Sequence, residues 1–322
     1  MKTKLLALVW SFALAAMTLT ACAEIDDGRY NEGNPVTENP AITQPTDPDN
    51  LVSSAPTVSS EETTTTVSEP EPLPETSLTD VSDAIEELYV TGQWDYSTLS
   101  TEGDGFGHGS HYDDANRPSG ARRFNNGYSQ YNATAMDQTD EKIITLTFDE
   151  GYENGYTPQI LDTLKEKGVR AIFFIVQDYA ERQPELVQRM IDEGHIVANH
   201  SVNHYSMPEL TVEEMRSEIM GLHEYMIENF GVQMTYFRPP KGEYSELSLA
   251  VTGDCGYKTM LWSFAYADWD PDTQPEPASS LQKMIDRLHP GAIYLLHAVS
   301  ETNASVLGDF IDAVREAGYT FK

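Results

Sequence analysis

Two cysteines, Cys22 and Cys255, are all that the 322 residues contain. A disulfide-stapled scaffold is thereby excluded, and stability must come from a buried core, which an ordered part of roughly 180 to 230 residues can supply. Basic residues are scarce as well: 20 lysines and arginines face 52 aspartates and glutamates, a formal net charge of −32. Nucleic acid and anionic lipid surfaces make poor partners for such a chain. Long apolar runs are missing apart from one at residues 5–21, whose polar members are only Ser and Thr. That run is marginal in length for a bilayer span. Cys255, in VTGDCGYKTMLWSF, reads as a small packed residue rather than a catalytic thiol.

Lys2 and Lys4 precede the apolar run, which completes the pattern of a secretory signal. Its end, Leu19-Thr20-Ala21-Cys22, resembles the bacterial lipoprotein box. Residues 1–21 are therefore expected to be removed and Cys22 to carry lipid, anchoring the protein to the outer face of the cell membrane. Each buried methylene of such an anchor contributes about 0.8 kcal/mol. Residues 23–100 then hold 17 acidic side chains and one basic one, half of the whole excess. Thr, Ser, Pro and Glu dominate NPVTENPAITQPTDPDN and SSEETTTTVSEPEPLPETS, a composition unable to bury enough apolar surface to offset chain entropy. Residues 22–80 read as a disordered, self-repelling acidic tether. Residues 81–140 read as an N-terminal extension packed on the following domain, opening with a helix candidate at 81–89. Its Gly- and Tyr-rich remainder has little periodicity, and His108 and His111 read as loop residues.

From Lys142 the rhythm is regular. Short runs rich in β-branched and aromatic residues, KIITLTF, VRAIFFIV, HIVANH, TYFRPP, YKTMLWSF and GAIYLLH, alternate with helical patterns such as TPQILDTLKEK and TVEEMRSEIMGLHEYMIENF. Pro158, Pro184, Gly194 and Gly318 stand where helices should start and stop. Such alternation implies an α/β fold of parallel strands with crossover helices. Six units over residues 141–322 suit a (β/α) barrel, in which functional groups collect at the C-terminal ends of strands.

The residues that end the runs fit that expectation. The first run ends in Asp149-Glu150, the third at His200 with His204 after it, the fourth at Arg238, the fifth before Asp268-Trp269 and the sixth at His297. His-x-x-x-His is a common spacing for one divalent metal, and a carboxylate from another strand end would complete the ligand set. Such a metal polarises a carbonyl and lowers the pKa of water. Of the adjacent carboxylates, one would then serve the metal and the other act as a general base. Arg238 would hold that base ionised. His297 would protonate a leaving nitrogen, with Asp268 tuning it and fixing its tautomer. His195 and His289 read as structural, and His223 as exposed on a polar helix.

In this order TFDEG, HSVNH, RPPKG, ADW and YLLH resemble the five motifs of the NodB-type polysaccharide deacetylases, carbohydrate esterase family four. The resemblance implies a distorted (β/α) barrel and metal-dependent removal of acetyl from N-acetylated sugars. By the family pattern Asp149 would be the base, His200 and His204 metal ligands, His297 the general acid and Arg238 the group orienting Asp149. The Lys241 backbone N–H would bind the oxyanion, and zinc is the expected metal, with cobalt or manganese as alternatives. FDEGYENGYTPQILDTLKEKGVRAIFF and GAIYLLHAVSETNA are more similar still to the delta-lactam-biosynthetic de-N-acetylases. That branch implies N-acetylmuramic acid in peptidoglycan as substrate and a link to the spore cortex. Two positions depart from the broad family: Glu150, usually Asp, which is expected as the third metal ligand, and Ala265, often Asp, which leaves Asp268 to tune His297 alone. Lys241 is a candidate contact to the muramic lactyl carboxylate, and Tyr244 and Trp269 to sugar faces. A monomer acting on peptidoglycan strands is expected. An N-acetylglucosamine deacetylase or a catalytically impaired wall-binding homologue stands as the alternative. A zinc peptidase would instead carry His-Glu-x-x-His.

Overall fold

The computed structural model describes residues 93–322. The signal segment, Cys22, the acidic tether and the helix expected at 81–89 lie outside the described residues. In chain order the elements are β1 (Asp104–Gly105), α1 (Ser119–Tyr128), β2 (Ala133–Thr134), β3 (Ile143–Glu150), α2 (Thr157–Lys167), β4 (Ile172–Ile175), α3 (Gln177–Arg182), α4 (Pro184–Asp192), β5 (Ile196–Asn199), α5 (Val212–Phe230), β6 (Tyr236–Phe237), β7 (Glu243–Tyr244), α6 (Glu246–Asp254), β8 (Lys258–Met260), α7 (Pro277–Asp286), β9 (Ala292–His297), α8 (Glu301–Glu316) and β10 (Thr320–Phe321).

Strand β3 is central. One edge pairs with β9 from Ile144 to Asp149, and the other with β10 at its start and β4 at its end. From β4 the sheet continues through β5, β6, β8 and β2, every pair parallel. Past β8 the chain returns to β9 by the bridge Phe264–Tyr294. The sheet is thus curled into a distorted, incompletely closed (β/α) barrel. β1 and β7 form a separate antiparallel pair. No helix among the described residues is long and apolar enough to cross a membrane.

Side-chain alternation along the strands sorts the core into two layers. Ile144, Leu146 and Phe148 face outward into a cluster shared with α2, α5 and α8. Phe174 of β4, Ala198 of β5 and Ile293 and Leu295 of β9 face the barrel interior, which is filled by Phe106, Phe124, Tyr244 and Trp262. On β3 the interior positions are polar, Thr145, Thr147 and Asp149, and all three are buried. Helix ends follow the expected chemistry: Pro158 stands in the first turn of α2, Gly168 closes it at φ 60°, and α5 opens on a Thr211–Glu214 capping box. Cys255 is partly buried against the outer cluster, and burial pushes its thiol up to about 11.

The segment before Lys142 is more regular than its composition indicates. Helix α1, SGARRFNNGY, has three apolar members, Ala121, Phe124 and Tyr128, on one helical face but set in a Gly- and Asn-rich stretch that composition marks as loop. Polar bonds help seat it: Asn125 donates from Nδ2 to the Met136 carbonyl at 2.7 Å and accepts the Ala135 N–H at 2.7 Å. Strand β2, two residues long, joins the main sheet beside β8.

Candidate active site

Parallel registers bring the strand-end groups together. Asp149 on β3 and His297 on β9 are register partners. Asp149 also lies opposite Phe174 on β4, whose ring carries the Arg238 guanidinium at 4.1 Å. Arg238 follows β6 and is fully buried. Every nitrogen of its fork is engaged: Nε donates to the Met260 carbonyl at 3.0 Å, Nη1 to Asp149 Oδ1 at 2.5 Å, and Nη2 to Thr147 Oγ1 at 2.9 Å. One oxygen of Asp149 is thereby fixed. The other, Oδ2, lies 3.6 Å from His200 Nε2.

The His200–His204 loop is held by its own backbone and by α5. His200 Nδ1 donates to the Arg238 carbonyl at 2.8 Å, which leaves Nε2 as the lone-pair nitrogen on the Asp149 side. Ser201 at φ 76° and His204 at φ 59° occupy the left-handed region, a strained conformation for residues other than glycine. Three contacts hold the loop there. The His204 N–H donates to Ser201 Oγ at 2.9 Å, and the Asn203 N–H and Nδ2 donate to the two Glu218 carboxylate oxygens at 2.7 and 2.6 Å. The two imidazole rings stand 4.9 Å apart at 70°.

Glu150 does not join them. One residue past Asp149, it follows Phe148 onto the outward face, where Oε2 sits 3.5 Å from the Thr157 hydroxyl and Oε1 is buried without a hydrogen-bond partner. Burial first, then the charges of Glu153 and Asp149, push its carboxyl well above the usual carboxylate range, with His297 opposing. Among the described residues no three His, Cys, Asp or Glu side chains are gathered closely enough to hold a metal ion. The expected triplet of Glu150, His200 and His204 is therefore not assembled, and strand alternation is the reason. The donor types nonetheless suit a divalent cation: two imidazoles 4.9 Å apart, one with its Nε2 facing the Asp149 carboxylate.

On the opposite side His297 Nδ1 bonds Asp268 Oδ1 at 2.7 Å, and Asp268 itself is fully buried. Asp268 also accepts from the His297 backbone N–H and from Asn303, so it is the acceptor here and the proton of this bond is on Nδ1. Trp269 lies beside this pair, its ring 6.2 Å from that of His297. Lys241 is half-buried in the RPPKG loop at φ 58°. The next residue, Gly242, packs so closely that a Cβ there would meet the Trp262 ring at 2.7 Å. Tyr244 is placed elsewhere than expected. It is buried against Phe124 and Tyr128, with ring centroids at 5.1 and 5.2 Å, so neither face is open to a sugar. His223 also differs: it is half-buried and bonds the Tyr257 hydroxyl at 2.5 Å.

Sequence reasoning passed over Thr147, Glu218 and Asn303. Glu218 did leave a signal, since it occupies the apolar stripe of α5 between Met215, Ile219 and Leu222, all buried. A carboxylate at such a position needs buried donors.

A family model for polysaccharide deacetylases matches residues 136–260. The chain is 42% identical over 206 residues to the peptidoglycan-N-acetylmuramic acid deacetylase PdaA of Bacillus subtilis (strain 168), a match covering 64% of this chain and 78% of that protein. The chain belongs to the polysaccharide deacetylase family. Polysaccharide deacetylases of this kind are hydrolases acting on carbon–nitrogen bonds other than peptide bonds. The solved structure of Bacillus subtilis PdaA, a family 4 carbohydrate esterase, aligns with a TM-score of 0.65 at 40% identity, over 70% of this chain and 96% of the other. A peptidoglycan-N-acetylglucosamine deacetylase of Bacillus cereus is 30% identical over 187 residues, 56% of this chain and 86% of its own.

Proposed function

We propose that this polysaccharide deacetylase hydrolyses the acetamide of N-acetylmuramic acid residues in peptidoglycan, with Asp149 as general base and His297 as general acid. The observation that carries the reading is that Asp149 and His297 are register partners on adjacent strands, each locked by a buried partner, Arg238 for one and Asp268 for the other. Water lying against Oδ2 of Asp149 gives up a proton to that oxygen as its own oxygen adds to the acetyl carbon. Collapse of the tetrahedral adduct breaks the C–N bond. His297, acting as the imidazolium with its Nδ1–H on Asp268, donates the Nε2 proton to the leaving nitrogen, releasing an amine and acetic acid, and the proton held by Asp149 then passes through solvent to the bare Nε2. Arg238 Nη1 donates to Asp149 Oδ1 and prevents rotation of the carboxylate. The Lys241 N–H, in its left-handed loop, is assigned to the oxyanion. His200 and His204 would hold a divalent cation, zinc by donor type, which when bound polarises the acetyl carbonyl and lowers the pKa of water.

The choice of muramic acid rests on one relative, PdaA of Bacillus subtilis, whose name states that substrate, and on the Lys241 ammonium, which complements the lactyl carboxylate. The leader sequence and lipid attachment at Cys22 would hold the domain outside the membrane, where that polymer lies. The test is a digest of isolated peptidoglycan treated with the purified domain, analysed by mass spectrometry. Loss of acetyl from muramic units, abolished by chelation and restored by zinc, is the expected result. Loss from glucosamine units alone would transfer the proposal to the N-acetylglucosamine reading.

A further inference from the structure

Asp268 does not act on His297 alone. Its Oδ1 accepts from His297 Nδ1 at 2.7 Å, while Oδ2 accepts the His297 backbone N–H at 3.0 Å and Nδ2 of Asn303 at 2.5 Å. Asn303 belongs to the first turn of α8 and is buried. The same Nδ2 also donates to the His297 carbonyl at 3.0 Å, and Asn303 Oδ1 accepts from the Tyr266 hydroxyl. A carboxylate and a carbonyl on one side, with a hydroxyl donor on the other, fix which end of the amide is nitrogen. Its backbone N–H donates to Ser300 Oγ at 3.1 Å, so the residue is held through both main chain and side chain.

We propose that Asn303 is a positioning residue for the deacetylation, a single amide that clamps the Asp268 carboxylate and the His297 main chain together and so keeps His297 in the Nδ1–H tautomer with Nε2 toward the substrate. The inference rests on the reading of His297 as general acid. Ala265 offers no second carboxylate in that motif, and an amide from another element supplies the support instead. Without Asn303, Oδ2 of the buried Asp268 keeps only the His297 backbone N–H. The carboxylate is then free to turn about its Cβ–Cγ bond and release Nδ1. Tyr266 is the outer member of the chain; its phenol, pushed up by burial and by the Asp268 charge, stays a donor and orients the amide.

The test is nitrogen NMR of the full domain labelled with 15N-histidine, run beside steady-state kinetics on peptidoglycan. Neutral His297 in the unsubstituted protein is expected to show a protonated Nδ1 and a bare Nε2. Asn303→Ala should give a mixture of tautomers and a kcat lower by about 10- to 100-fold with KM within about twofold. Asn303→Asp, which sets a like charge against Asp268, should lower kcat further, and Tyr266→Phe should do so less. A folded Asn303→Ala protein with unchanged tautomer and kcat would overturn the proposal. If that variant does not fold, Tyr266→Phe decides the point by the same two readouts. Full activity in His297→Ala would remove the acid assignment instead, and the tautomer readout would still decide whether the clamp exists.

Discussion

At the scale of single residues, the ionisable groups at strand ends were legible because charge at the end of a buried apolar run has no structural excuse. Glu150 shows the limit of that logic. Adjacent strand residues face opposite ways, so Asp149 and Glu150 cannot both face the interior of a regular strand, and the motif string does not display that parity. A test follows from its outward placement. Glu150→Gln keeps shape and the contact to Thr157, and activity should stay within about threefold, whereas a metal ligand so altered would lose about 10- to 100-fold in affinity. Metal titration of the variant distinguishes the two. Arg238 is a different case, a fully buried cation whose removal strands a buried carboxylate. Arg238→Leu should lower unfolding free energy by about 3–5 kcal/mol, read by denaturant titration, and abolish measurable turnover.

At the scale of elements, most helices and strands from Lys142 onward followed from periodicity and caps, whereas α1 and β2 did not, nor did the short α3, β7 and β10. Helix α1 sets its three apolar residues in a Gly- and Asn-rich stretch that masks their spacing, and β2 is only two residues long. Both take their form from contacts distant in sequence, which local pattern does not encode. The same holds for the loop between β5 and α5. Its histidines are obvious in sequence, but their strained backbone is maintained by Glu218, which meets Asn203 from the helix. Glu218→Ala leaves the Asn203 N–H unpaired and should cost about 1–3 kcal/mol. Activity should fall by about tenfold as the imidazoles lose their geometry. Thermal melts and acetate release on the same preparation check the pair of effects, and wild-type activity at lowered stability would show that the loop holds itself.

At the scale of the whole molecule, the barrel has an acid-sensitive seam away from the strand ends. His289 precedes β9, is buried, and bonds the Arg287 carbonyl and Ser263 Oγ at 2.8 and 2.9 Å. Burial, with Arg117 adding to it, lowers its pKa to about 4 from 6.5, against smaller raising effects of the Arg287 carbonyl and Asp113. Above pH 6.5 neither the folded nor the unfolded state protonates this group, and its contribution to stability is complete. As pH falls from 6.5 toward 4 the unfolded state takes up the proton first, so about 3 kcal/mol is lost across that window. His289→Gln, which cannot titrate, should flatten the pH dependence of urea midpoints there; an unchanged slope would assign the loss to carboxylates. The strand-end groups, by contrast, depend on the curl of the sheet, which sets Asp149 and His297 on neighbouring strands within one interior. The proposed function requires those two residues to act as base and acid on a peptidoglycan acetamide. Acetate release from peptidoglycan by the wild-type domain, compared with Asp149→Asn at matched folding, measures this most directly. Steady release by the former and a drop of about 10²- to 10⁴-fold in the latter are expected; equal rates from the two proteins would rule out Asp149 as the base.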